Sequence, residues 1–301
     1  MNSLSTKNVD LKKYEFKRLC NLLGVSRHLV DHVVKDIDSQ YKEWSEDKVD
    51  RLTGKTKTYL DGTVKRRTFR NPSNLLKAIQ RRINERLLDQ IPLPSCVHGG
   101  VKTRSNITNA KLHQGNKFIF TTDLKDFFPS ITAKRVYNTL TSLEFSPNFA
   151  HWLTRLTTWK NELPQGAPTS TYVANLCFLQ TDAALALFCK EHSVVYTRFV
   201  DDLTFSSQRD FRSLIPKLIE IIKHAGVINH RKTRYNGNQT VTGIKVFLNK
   251  IDAPELIIQK ARNEKVENSL GRPYSTYLQN IRKTNKAKGT RRPVQDSYHP
   301  K

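Results

Sequence analysis

The sequence predicts an α+β fold, from two β-rich runs that each lead into aspartate and from a long Ala- and Leu-rich stretch between them. The first run, KFIFTT at 117–122, ends at Asp123, and helix-like sequence follows from Thr132. The second, 193–199, meets an acidic turn at Val200-Asp201-Asp202 and returns through 203–206. Between them, 168–191 reads as one long buried helix. A chain of 301 residues can bury such a core as one elaborated domain or as two or three small lobes, without a disulfide scaffold.

Taken in order, 9–42 places Leu22, Val25, Leu29, Val33 and Ile37 at helical spacing and predicts two short helices. His28 and His32 stand one turn apart, but with no acid at HExxH spacing they read as surface residues. From Lys55 the runs KTKTYL and TVKRRTF, joined by Asp61-Gly62, predict a basic hairpin. Helix resumes after Asn71-Pro72-Ser73, with Leu75, Leu76, Ile79, Ile83 and Leu87 on one face. Lys77, Arg81, Arg82 and Arg86 lie on the other face, an arrangement suited to gripping phosphates. Later, 210–225 reads as an amphipathic helix, 226–231 and 240–248 as strands, and the stretch after Asp252 as a helix to about 269. Beyond the Gly271-Arg272-Pro273 break come a last basic helix and a polar tail expected to order only on RNA.

Lys and Arg outnumber Asp and Glu by 51 to 27, a formal net charge of +24. Such an excess predicts a polyanionic partner, nucleic acid first and an anionic membrane surface as competitor. No apolar run approaches the length of a spanning helix and the N-terminus lacks the order of a signal peptide, so a soluble cytoplasmic protein is expected. Cys20, Cys96, Cys177 and Cys189 are scattered and read as small apolar thiols of a reducing compartment.

The chemistry is concentrated in the acids. Adjacent carboxylates at a hairpin tip repel each other, and divalent cations relieve that cost. If the strand ending at Asp123 lies beside the hairpin, then Asp123, Asp201 and Asp202 converge, and their hard oxygens suit Mg²⁺ shared with substrate phosphates. Two ions about 4 Å apart would clamp the attacking and leaving oxygens of a phosphoryl transfer. No Walker-type loop, dinucleotide fingerprint or Ser-His-Asp set competes.

Three blocks in order resemble the reverse transcriptase family: TDLKDFFPSI at 122–131, LPQGAPTS at 163–170 and YTRFVDDLT at 196–204. The resemblance implies a right-hand polymerase fold. Basic fingers would occupy roughly 1–115, a catalytic palm 116–250, and a short helical thumb with a basic tail 251–301. It implies RNA-directed DNA synthesis with Asp123, Asp201 and Asp202 holding two Mg²⁺ ions. It also places Phe128 under the sugar of the incoming deoxynucleotide, Gln165 against that nucleotide, and Lys232 and Arg67 near its triphosphate. Asn109-Ala110-Lys111-Leu112-His113 and Val241-Thr242-Gly243 further resemble the NAxxH and VTG elements of bacterial retron reverse transcriptases. That likeness implies RNA contacts at Asn109, His113, Val241, Thr242 and Gly243, a structured noncoding RNA as template and primer, synthesis from an internal 2′-hydroxyl, and antiphage defence, with a toxin or effector protein as a further partner. Phe199 stands where the family more usually has Tyr, and the C-terminal stretch departs from the usual retron thumb. Another defence-associated reverse transcriptase, an RNA-copying RNA polymerase and a noncatalytic RNA-binding palm are the competing readings.

Overall fold

The computed structural model describes residues 16–50, 54–59, 61–226, 228–229, 234–235, 240–266 and 271–286. They divide into two units, one drawn from Met1–Lys48, Thr58–Pro92 and Phe128–Cys177, the other from Val49–Lys57, Leu93–Phe127 and Phe178–Lys301.

The first unit opens with α1 (Phe16–Leu23) and α2 (Arg27–Lys35), whose start is fixed by the Ser26 side chain accepting from Leu29 N. His28 and His32 are exposed on α2. Next come β1 (Tyr41–Asp47) and β2 (Arg66–Pro72), antiparallel partners in register from Tyr41↔Pro72 to Asp47↔Arg66. Here the structure corrects the sequence reading. The turn at Asp61-Gly62 forms, with Asp61 accepting from Thr63 N at 2.9 Å, but among the described residues flanking it a single bridge joins Thr58 to Val64. The strand partner of the basic run is β1, which shows no polar–apolar alternation because only its first residue is buried. Ser73 caps α3 (Asn74–Arg86) through Leu76 N. On α3, Arg82 donates to the carbonyls of Leu23 and Gly24, and Arg86 to that of Leu22 at 3.0 Å. These two cations satisfy the end of α1, which takes them out of the face expected to grip phosphates.

The second unit contains α4 (Asn106–Leu112) and β3 (Phe118–Lys125). In the first unit follow α5 (Ala133–Ser142), α6 (Pro147–Thr157) and α7 (Ser170–Cys177); in the second, α8 (Leu179–Glu191), β4 (Val195–Phe199) and β5 (Asp202–Ser207). The single helix expected over 168–191 is thus two, interrupted at Phe178. Arg135 Nη2 donates to Cys177 O at 2.9 Å, satisfying the carbonyl exposed at the end of α7.

After α9 (Ile215–His224), β6 (Ile228–Asn229) and β7 (Arg234–Tyr235) complete an antiparallel sheet in the order β4-β5-β3-β6, with β7 also on β3. A smaller sheet orders β10 (Ile251–Asp252), β9 (Ile244–Val246) and β8 (Thr240–Val241). Its buried Val241, Ile244 and Ile251 pack with Ala110 of α4 and with Ile281 of α11 (Pro273–Lys286). Between them α10 (Glu255–Val266) lends the Glu264 carboxylate to the backbone N–H groups of Tyr274 and Ser275, an acidic cap on α11. The sequence placed these last two helices correctly; the polar tail from 287 on lies outside the described residues. All four cysteines are free and buried. Among the described residues no single helix is long and apolar enough to cross a membrane.

Candidate active site

The strand carrying Asp123 does lie beside the acidic hairpin. Strand β3 pairs with β5 from Phe118↔Ser207 to Asp123↔Asp202, so these two aspartates are direct cross-strand partners. Cβ atoms so placed stand about 4.5–5.5 Å apart, and like charges there destabilise a sheet. Asp201 occupies the two-residue turn between β4 and β5, and its carbonyl accepts from Leu124 N at 3.0 Å. Asp202 is exposed, Asp123 and Asp201 half-buried.

Three hard-oxygen donors at one end of a sheet fit Mg²⁺ chemistry. They do not form a closed cage: among the described residues no group of three or more His, Cys, Asp or Glu side chains is gathered to hold an ion. The expected three-way convergence is therefore a facing pair plus a third acid on the adjoining turn. Such an open set suits an ion that substrate phosphates help to coordinate, because Mg²⁺ commonly takes only one or two protein carboxylates.

The turn is built with care. Val200 has φ of +60°, a conformation unfavourable for a β-branched residue. Gly99 lies against it so closely that a Cβ at that position would fall 2.4 Å from Val200 N. Underneath, Arg198 is wholly buried and donates from Nε and Nη2 to the two carboxylate oxygens of Asp182 at 2.9 and 2.6 Å, and from Nη1 to Val200 O at 2.9 Å. Tyr196 donates to the same Asp182 at 2.7 Å. Burial opposes the charge on Arg198, yet Asp182 more than offsets it and holds the guanidinium firmly protonated; burial and Asp182 push the Tyr196 phenol up. Removing one partner of such a pair costs about 3–5 kcal/mol. Sequence reading gave Gly99, Asp182 and Arg198 no role of their own, although a lone acid in an apolar helix and a lone Arg in an apolar strand are the signal of a buried pair.

In the first unit, half-exposed Phe128 follows Asp123 by five residues, and its carbonyl accepts from Ile131 N at 3.1 Å. Gln165 O accepts from Arg70 N at 2.9 Å, and Gly166, with φ of +107°, carries the turn past β2. Arg70 is itself held by Glu43 at 2.8 Å and by Glu162. Half-exposed Arg67, two residues from Phe69, lies on that same strand with its guanidinium 6.0 Å from the Phe69 ring. Lys232 lies outside the described residues.

The NAxxH and VTG elements meet. Thr242 and Gly243 both have positive φ and form the tight turn between β8 and β9, so the strand expected over 240–248 is two short strands joined by a turn. Asn106 Nδ2 donates to Thr242 O at 3.2 Å and to Tyr277 Oη at 2.6 Å, and Asn109 Nδ2 donates to Thr242 Oγ1 at 3.4 Å. His113 is fully buried, with Nδ1 2.7 Å from Ser206 Oγ and Nε2 2.7 Å from Thr197 Oγ1. Burial, reinforced by His98, lowers its pKa to about 3. Asn109, His113 and Val241 have no exposed surface for RNA, so the structure gives them packing roles; Thr242 is half-exposed and Gly243 exposed.

A family model for reverse transcriptase (RNA-dependent DNA polymerase) matches residues 55–243. The chain belongs to the reverse transcriptase family. Among curated proteins it resembles the retron Se72 reverse transcriptase of Salmonella heidelberg, 33% identical over 74% of this chain and 55% of that one. The retron Ec86 enzyme of Escherichia coli is 37% identical over 62% and 60%, and the retron Mx65 enzyme of Myxococcus xanthus 33% over 67% and 54%. The chain thus spans about half to three-fifths of the length of these relatives. As a member of this family it has the α+β architecture its sequence predicts, and the matched region contains all three acids, Phe128, Gln165, Lys232 and both retron-like elements.

Proposed function

We propose that this chain is an RNA-directed DNA polymerase of retron type, copying a structured noncoding RNA that serves as template and primer, in antiphage defence. The observation that supports it most is the facing of Asp123 and Asp202 across β3 and β5 with Asp201 on the adjoining turn, inside a reverse transcriptase match. In this reading Asp123 and Asp201 hold two Mg²⁺ ions and Asp202 completes the acidic set. When bound, the ions stabilise charge on the attacking 3′ oxygen and the leaving pyrophosphate. Phe128 lies under the deoxyribose and excludes a 2′-hydroxyl, Gln165 orients the incoming nucleotide, and Arg67 and Lys232 neutralise its triphosphate. The basic N-terminal part serves as fingers, the larger sheet as palm, and α10 and α11 as thumb.

The retron assignment draws on the similarity to retron enzymes and on the contact between the NAxxH helix and the VTG turn. Purification from the native host, followed by sequencing of the copurifying nucleic acid after separate RNase and DNase treatments, tests it. A covalent RNA–DNA hybrid that disappears in Asp201→Ala is the expected result. DNA without joined RNA points to another defence-associated reverse transcriptase, and RNA alone to a noncatalytic binder. An effector protein would copurify in the same experiment.

A further inference from the structure

We propose that Arg198 is the positioning residue of the acidic turn, gripping the Val200 carbonyl so that Asp201 presents its carboxylate in one direction, with Asp182 as the anchor that holds Arg198 there. The proposal rests on reading Asp123, Asp201 and Asp202 as the metal-holding set.

The residue before Asp201 sits in the left-handed region, with φ of +60° at Val200, and a β-branched side chain does not adopt that conformation unless its surroundings impose it. Two structures impose it from different directions. One is steric: Gly99 passes so close that a Cβ there would lie 2.5 Å from Val200 Cγ2, while His98 N donates to Arg198 O and Arg198 N to Cys96 O, both at 2.8 Å. The other is the guanidinium. Its planar fork reaches Val200 O with Nη1 at 2.9 Å and both Asp182 oxygens with Nε and Nη2, and its carbon lies 4.9 Å from the centre of the Phe178 ring. An ammonium is a single point and cannot meet the carboxylate bidentately and the carbonyl together.

A buried ion pair is a poor way to fill a core, since apolar residues of similar volume often serve as well or better. What Leu and Met could not supply here is a rigid donor aimed at the carbonyl of the turn. The charge on Arg198 is therefore explained by the turn it holds, and Asp182 by the charge on Arg198.

The test compares wild type with Asp182→Leu/Arg198→Met, which keeps the core filled, and with Arg198→Lys. Mn²⁺ binding is read by electron paramagnetic resonance, the Mg²⁺ requirement by primer extension, and folding by thermal melting. Wild type should bind Mn²⁺ and Asp201→Ala should not; failure of that control overturns the metal-site reading itself. With the control in place, the apolar double variant should fold and bind Mn²⁺ about tenfold more weakly, with a matching rise in the Mg²⁺ needed for half-maximal extension. A folded double variant with unchanged Mn²⁺ affinity overturns the proposal. Should the double variant not fold, Arg198→Lys decides in the same way: weakened binding supports the positioning role, unchanged binding overturns it. If neither variant folds, the pair is a requirement of the core alone and the proposal also fails.

Discussion

The amide of Asn109 reaches the hydroxyl of Thr242, 133 residues further along the chain, and so ties α4 to the turn between β8 and β9. Asn106 strengthens the tie by donating to Thr242 O and to Tyr277 Oη of α11. Replacing Asn106 by Ala leaves a half-buried carbonyl and a phenol without that donor, a loss of about 1–3 kcal/mol. Chemical denaturation should show this as a lower midpoint with an unchanged slope. A midpoint equal to wild type would mean that the clasp contributes nothing to the fold.

His113 makes stability depend on acid. Its folded pKa is about 3, against an ordinary value near 6.5, because burial disfavours the imidazolium. Between those values the unfolded chain binds a proton that the folded chain refuses, so its stabilising contribution is complete above pH 6.5 and is lost as pH falls towards 3. At pH 5 the loss from this one residue is about 2 kcal/mol. Melting temperatures measured from pH 7.5 to 5 should fall, and less steeply for His113→Gln. Identical slopes would show that another group governs the acid limb.

If the acids hold the metal ions as proposed, replacing them separates catalysis from binding. Asp123→Asn and Asp201→Asn keep the size of each side chain and remove the charge that would hold an ion, so nucleotide addition should fall by roughly 10³-fold or more, about 4 kcal/mol in the barrier. RNA affinity, measured by filter binding, should stay within about twofold. Removing like charge from a crowded strand end should also leave the melting temperature equal or higher. Activity surviving in Asp201→Asn would remove this aspartate from the catalytic set.

Phe128 tests sugar selection. If its ring lies under the deoxyribose, Phe128→Ala opens space for a 2′-hydroxyl, and the ratio of rNTP to dNTP incorporation should rise roughly tenfold or more, a steric effect of about 1–3 kcal/mol. An unchanged ratio with reduced stability would make Phe128 a packing residue.

How much of this was legible in the sequence depended on the range over which each feature is specified. The acidic hairpin and the strand before Asp123 are contiguous apolar runs broken by carboxylates, and both were read as elements; that the two lie side by side was only a condition, which the pairing of β3 with β5 meets. Strand β1 was not, because YKEWSED buries only Tyr41 and so lacks period-two patterning. The break at Phe178 escaped notice because Ala, Leu and Phe continue through it; what marks the end of α7 is Arg135, 42 residues earlier. The ion pair of Asp182 with Arg198 and the burial of His113 between Thr197 and Ser206 are likewise products of tertiary contact, which no local window contains.

The cations on α3 differ in their task, and salt can tell them apart. Arg82 is committed to the carbonyls of Leu23 and Gly24, whereas Arg81 is exposed on the same helix. An electrostatic RNA interface loses affinity linearly in log salt, by about 0.7–0.9 in slope for each phosphate neutralised. Wild-type RNA affinity should therefore drop steeply between low and moderate salt, and a flat dependence would contradict the use of the +24 net charge for binding. Arg81→Ala should lower the slope by somewhat less than one while leaving the melting temperature within a degree or two. Arg82→Ala should do the reverse, since it strips donors from the end of α1 and costs about 1–3 kcal/mol of stability. If Arg82→Ala instead changes the salt slope at constant stability, its guanidinium serves RNA and the helix-end contact is incidental.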